Sequence, residues 1–95
     1  MLLRKKHYLP ILKPIVEEYR KRNYEFWLQH IDKEPIVFTK TKNNIEFQIE
    51  ICAFWDDKPN ENIRIMISID DSGLRAYSPV TNDFIISPSN EFIGE

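Results

Sequence analysis

Ninety-five residues, 42% hydrophobic and 29% charged with a formal net charge of −2, fit one domain built on one core. The one cysteine, Cys52, excludes an internal disulfide, and no apolar run nears the roughly 18–20 residues of a membrane span. An acidic pI near 5.7 argues against a nucleic-acid binder, which wants a basic stripe and a high pI.

The first predicted element is a helix. Leu12, Ile15, Val16, Tyr19, Asn23, Phe26, Trp27, His30 and Ile31 recur at spacings of three and four, so one apolar stripe runs from about Leu12 to about Ile31. Pro10 and Pro14 bracket its start. Proline is tolerated in a first turn, where its missing N–H has no partner anyway, so the helix is expected to begin near Pro14. The stripe thins at Arg20-Lys21-Arg22-Asn23. A break there, with Tyr24–Ile31 as a second short helix, is the alternative. Pro35 stops any helix from running on.

Strands follow. Ile36–Lys40 is a short candidate, and Lys42-Asn43-Asn44 reads as a turn. Ile45, Phe47, Ile49, Ile51, Ala53 and Trp55 then alternate with Glu46, Gln48, Glu50, Cys52 and Phe54, a long strand with one wet face. Asp56–Asn62 is a loop. Ile63, Ile65, Ile67 and Ile69 alternate with Arg64, Met66, Ser68 and Asp70 in the hairpin partner. Asp71-Ser72-Gly73 is the next turn and Leu74–Ser78 a third strand of the meander, ended by Pro79. Phe84-Ile85-Ile86 forms a last short strand or edge, Pro88-Ser89-Asn90 a turn, and Phe92-Ile93 folds back onto the core. The expected fold is α+β: a two-layer sandwich with an N-terminal helix packed on an antiparallel meander of three to five strands. Its other sheet face carries Glu46, Gln48, Glu50, Arg64, Ser68 and Tyr77, with Cys52, Phe54 and Met66 as an apolar island.

Charge divides along the same boundary. Residues 1–42 hold ten lysines and arginines against five acids, and residues 43–95 hold three against ten. A basic helical part and an acidic sheet part result, and such a field steers partners.

Chemical motifs are few. Asp56, Asp57 and Glu61 share a loop, but the alternating ligands, central glycine and closing glutamate of a calcium loop are missing. Asp70 and Asp71 belong to the opposite end of the hairpin, so no metal site is expected. Glu46 and Glu50 lie four residues apart on one strand, about 13 Å at 3.3 Å per residue, too far for a carboxylate dyad. Cys52 has no histidine near it in sequence, and no catalytic serine order, glycine-rich phosphate loop or Cys-x-x-Cys pair is present. No catalysis and no cofactor are expected. The opening Met-Leu-Leu-Arg-Lys-Lys-His places its basic residues after its apolar ones, the reverse of a signal peptide, so a cytoplasmic protein is expected. Arg4-Lys5-Lys6-His7 and Arg20-Lys21-Arg22 read as solvated helix surface.

Ile65–Gly73, Ala76 with Pro79, Asp83-Phe84-Ile85 and the ending Ser87–Glu95 run as a strand, an Asp-Asp-Gly turn, a Phe-Ile segment and a Phe-Ile-Gly-Glu tail. In these features the C-terminal half resembles a family of small bacterial α+β domains of uncharacterised function. Ser72 and Leu74 depart from the pattern. The match speaks to fold. Size, acidity and layout are also similar to immunity proteins of bacterial toxin systems, a likeness of type without a shared motif.

Charge and likeness together give the functional expectation: a non-catalytic immunity (antitoxin) protein that covers a basic toxin domain, such as a nuclease, by complementary charge. The expected contact residues are Trp55, Asp56, Asp57, Glu61, Asp70 and Asp71, with Glu46 and Glu50 secondary, gathered into one exposed surface. The alternative is a self-associating housekeeping domain, a homodimer with the basic helix of one copy on the acidic sheet of another.

Overall fold

A computed structural model describes residues 2–70 and 80–94, with side chains from Tyr8 onward within those spans. The expected Asp71-Ser72-Gly73 turn, the Leu74–Ser78 strand, Asp71 itself, Tyr77 and the side chains of the Arg4–His7 cluster lie outside the described residues. The fold is α+β: helices α1 (Leu2–Tyr19) and α2 (Tyr24–Leu28) precede strands β1 (Ile36–Lys42), β2 (Ile45–Trp55), β3 (Ile63–Asp70) and β4 (Val80–Ile86). All neighbours are antiparallel, in the order β1-β2-β3-β4.

α1 begins at Leu2, well before the expected start near Pro14, and carries both Pro10 and Pro14 inside it. Interior prolines cost a helix roughly 3 kcal/mol each through lost hydrogen bonds and steric conflict. Tertiary packing offsets that here. Tyr8, upstream of both prolines, is buried and meets Phe47 edge-on with ring centroids 5.5 Å apart. The apolar stripe thus starts one turn earlier than the prolines suggest, and Leu12, Ile15 and Val16 continue it into the core.

The single helix expected to run on to about Ile31 is interrupted: the alternative, a break at Arg20–Asn23, is what the chain adopts, and the second helix ends at Leu28 rather than Ile31. Lys21 and Arg22 N–H groups donate to carbonyls three residues back, Glu18 at 3.3 Å and Tyr19 at 3.1 Å, which tightens and ends α1. Asn23 is extended, and its Oδ1 accepts from the Phe26 N–H at 2.9 Å, so it caps α2. The Tyr24 N–H donates to Asn90 Oδ1 at 2.7 Å, a second cap supplied from the far end of the chain. Its hydroxyl donates to the Glu61 carbonyl at 2.7 Å. α2 is therefore tied to the β2–β3 loop and to the C-terminal turn at once, and Trp27 is fully buried between them and the sheet.

Asn43 (φ 55°) and Asn44 (φ 64°) make the two-residue β1–β2 connection, with Lys42 opposite Ile45. Two successive left-handed residues match the twist of the flanking strands, and asparagine tolerates that conformation better than most. Of the expected inward series, Phe47, Ile49, Ile51 and Ile63, Ile65, Ile67, Ile69 are buried, whereas Ile45 at the start of β2 is exposed and Ala53 and Trp55 at its end are half-buried. β4 is longer than the expected Phe84–Ile86. Its register pairs Val80 with Ile69 and Ile86 with Ile63. Asn82 and Asp83 are poor strand formers by themselves, and pairing with an isoleucine-rich neighbour recruits them. Beyond β4, Ser87 N–H donates to the Glu91 carbonyl at 2.8 Å, which turns the chain so that Phe92 bridges Ile86 and packs on the core. Ile93 stays exposed.

Candidate functional site

Register fixes what the outer sheet face presents. From one end to the other its rows are Thr41 and Glu46; Thr39, Gln48 and Asp70; Val37, Glu50, Ser68 and Thr81; Cys52, Met66 and Asp83; and Phe54, Arg64 and Ile85. Glu46 and Glu50 sit diagonally across from Asp70, about 7–8 Å at such positions, and form an acidic end. Phe54 and Val37 are exposed at 40% and 53%. With Cys52, Met66 and Ile85, all half-buried, they make an apolar band across the face, crossed by the Arg64–Asp83 ion pair.

A second acidic group lies past that band. Asp56 follows the last residue of β2, and Arg64 binds Asp56 Oδ1 through Nε at 2.9 Å and Nη2 at 2.8 Å. Arg64 Nη1 donates to Asp83 Oδ2, so one guanidinium holds the loop and β4 together. The hydrogen bonds that Arg64 donates to Asp56 and then to Asp83 push its pKa above its already high ordinary value. Asp57 and Glu61 are exposed in the same loop.

The predicted residues therefore fall into two groups. Glu46, Glu50 and Asp70 share one end of the outer face. Asp56, Asp57 and Glu61 share the β2–β3 loop, about 33 Å from Glu46 counted along β2 at 3.3 Å per residue. The single gathered surface expected from sequence is replaced by two acidic groups with an apolar band between them, and Asp56 is already neutralised by Arg64. Trp55 faces inward opposite Ile63 and packs against the core. The aromatic that reaches solvent is its neighbour Phe54, whose place on the wet face follows from the alternation itself.

Cys52 is half-buried, and burial first, then the negative charge of Glu50, hold its thiol above the ordinary pKa. A nucleophilic cysteine needs the opposite shift. Among the described residues no three His, Cys, Asp or Glu side chains converge to hold a metal ion, and no helix is long and apolar enough to cross a membrane. No family model, no curated protein and no solved structure matches the chain.

Proposed function

We propose that the chain is a non-catalytic protein-binding module, a two-layer sandwich whose helical layer closes the inner sheet face and leaves the outer face for a partner. The observation that carries this reading is the exposed Phe54, set in an apolar band with carboxylates at both ends. Apolar centres with aromatic anchors and polar rims are the composition of protein interfaces. Carboxylates at the rim select a basic partner and speed its capture.

The partner class that best fits such a face is a basic toxin domain, a nuclease in particular, which makes the chain an immunity protein. Nuclease active sites are positive because they hold phosphate, and rigid carboxylates on a sheet can occupy that field. Glu50 and Asp70 at one rim are the principal charged contacts of this reading, with Glu46 beside them. Asp57 and Glu61 serve a partner that reaches the loop. Asp56 acts indirectly, by fixing Arg64.

Co-expression with the product of the adjacent gene tests the reading. The expected result is host survival only when this chain is present, and a one-to-one complex weakened about tenfold or more by Phe54→Ser with Glu50→Lys. Survival indifferent to the chain, or a complex untouched by those substitutions, would overturn it.

A further inference from the structure

The lysines of β1 point to a second docking site on the opposite side of the sheet. β1 is an edge strand, so the backbone groups along its outer side have no ladder partner among the described residues. Beside it, between β1 and α1, runs a groove of about 620 Å³ with Ile11, Ile15 and Phe38 in its lining. Lys40 and Lys42 also line it. They stand opposite Phe47 and Ile45, on the helix-facing side of the strand, while Val37, Thr39 and Thr41 face the other way. Glu18 is the one acid in the lining, and it is already engaged by Arg22 at 3.2 Å and Lys21 at 3.8 Å. The groove is thus electropositive although the chain is acidic overall.

We propose that the β1 edge and this groove dock an extended peptide segment of a partner protein bearing carboxylates at alternate positions. A strand added to β1 satisfies the edge backbone, and side chains two residues apart fall on one face. Carboxylates at that spacing meet Lys40 and Lys42 together, since the lysines have the same spacing. Lysines on an edge also repel the identical edge of a second copy, so the charge that blocks self-pairing selects an acidic strand.

The test is a fluorescence-anisotropy titration of the full chain with a labelled hexapeptide alternating glutamate and valine, beside a lysine–valine control. Amide hydrogen exchange is followed in parallel. Saturable binding of the glutamate peptide, protection appearing within residues 36–42, and about tenfold weaker binding by a folded Lys40→Glu, Lys42→Glu variant are expected. No saturable binding, equal affinity for the lysine peptide, no added protection in β1, or a salt-resistant dimer that occupies the edge would overturn the proposal. These outcomes leave the outer face untouched, because Phe54→Ser is expected to bind the peptide as the unaltered chain does.

Discussion

Arg64 and Asp56 are joined by two nitrogens on one oxygen, Nε at 2.9 Å and Nη2 at 2.8 Å, while the remaining Arg64 amine goes to Asp83. The pair sits where β2 leaves the sheet and where β3 returns, so it sets the angle of the acidic loop against the outer face. Phe54 stands directly opposite Arg64 in the register. The exposed aromatic and the clamp therefore form one local unit.

Replacing Arg64 with methionine keeps an unbranched apolar stem, removes the guanidinium, and leaves Asp56 and Asp83 without their shared cation. The thermal midpoint is expected to fall, and to fall more in low salt than in high salt, because screening weakens both the lost pair and the new repulsion. Thermal melts of both proteins across a salt series check this. A deficit independent of salt would assign Arg64 a packing role only.

Cys52 sets a pH dependence. Its thiol pKa is raised by burial and, second, by Glu50. The folded protein therefore holds the proton where the unfolded chain has lost it. The stability that this contributes is complete below the unfolded value, about 8.5, and is lost as pH rises through the folded value. Tyr24, raised by burial and by Glu25, adds a second loss beginning nearer 10. Denaturant unfolding at pH 8 and pH 10 is expected to show lower stability at the higher pH, with the decline reduced in Cys52→Ala. Thiol-reagent labelling of the folded chain should be slow at neutral pH and faster in Glu50→Gln.

Trp27 is fully buried, and its Nε1 has no hydrogen-bond partner among the described residues. A buried donor left unmade costs about 1–3 kcal/mol. Trp27→Phe removes that burden along with some packing, whereas Trp27→Ala opens a large cavity worth about 3–5 kcal/mol. Urea unfolding is expected to place the phenylalanine variant much nearer the wild type than the alanine one. Equal losses would mean that the indole nitrogen is satisfied in solution.

Asn44 occupies the second left-handed position of the β1–β2 turn. Asn44→Gly is expected to hold or raise stability by a few tenths of a kcal/mol, and Asn44→Val to lower it by about 1–2 kcal/mol, since a β-branched residue resists that φ. Denaturant midpoints of the two variants decide the matter.

The strands were legible because isoleucine alternates so strictly along Ile45–Trp55 and Ile63–Asp70 that only one face can be buried. The Cys52, Phe54 and Met66 island followed from the same alternation. The helix break was legible only as the alternative to one continuous helix, because the stripe keeps its spacing across Asn23, whose capping of α2 is the physical cause of the interruption. The start of α1 was not. Local chemistry at Pro10 and Pro14 argues for a boundary, and it is outweighed by Tyr8 against Phe47, a contact 39 positions away in sequence. β4 was underestimated for a related reason, since Asn82 and Asp83 become strand only through β3. The candidate site was half legible. Acidic residues could be counted, but their separation into two groups depends on register, and the neutralisation of Asp56 depends on an arginine eight positions on.

The central claim is that the outer sheet face around Phe54 is the surface that meets a basic partner. Isothermal titration of that partner, obtained by co-expression, against the wild type and a folded Phe54→Ser variant tests it most directly. Affinity about tenfold or more weaker for the variant, with unchanged stoichiometry, is the expected result. Equal affinities would contradict the claim and move the interface elsewhere on the molecule.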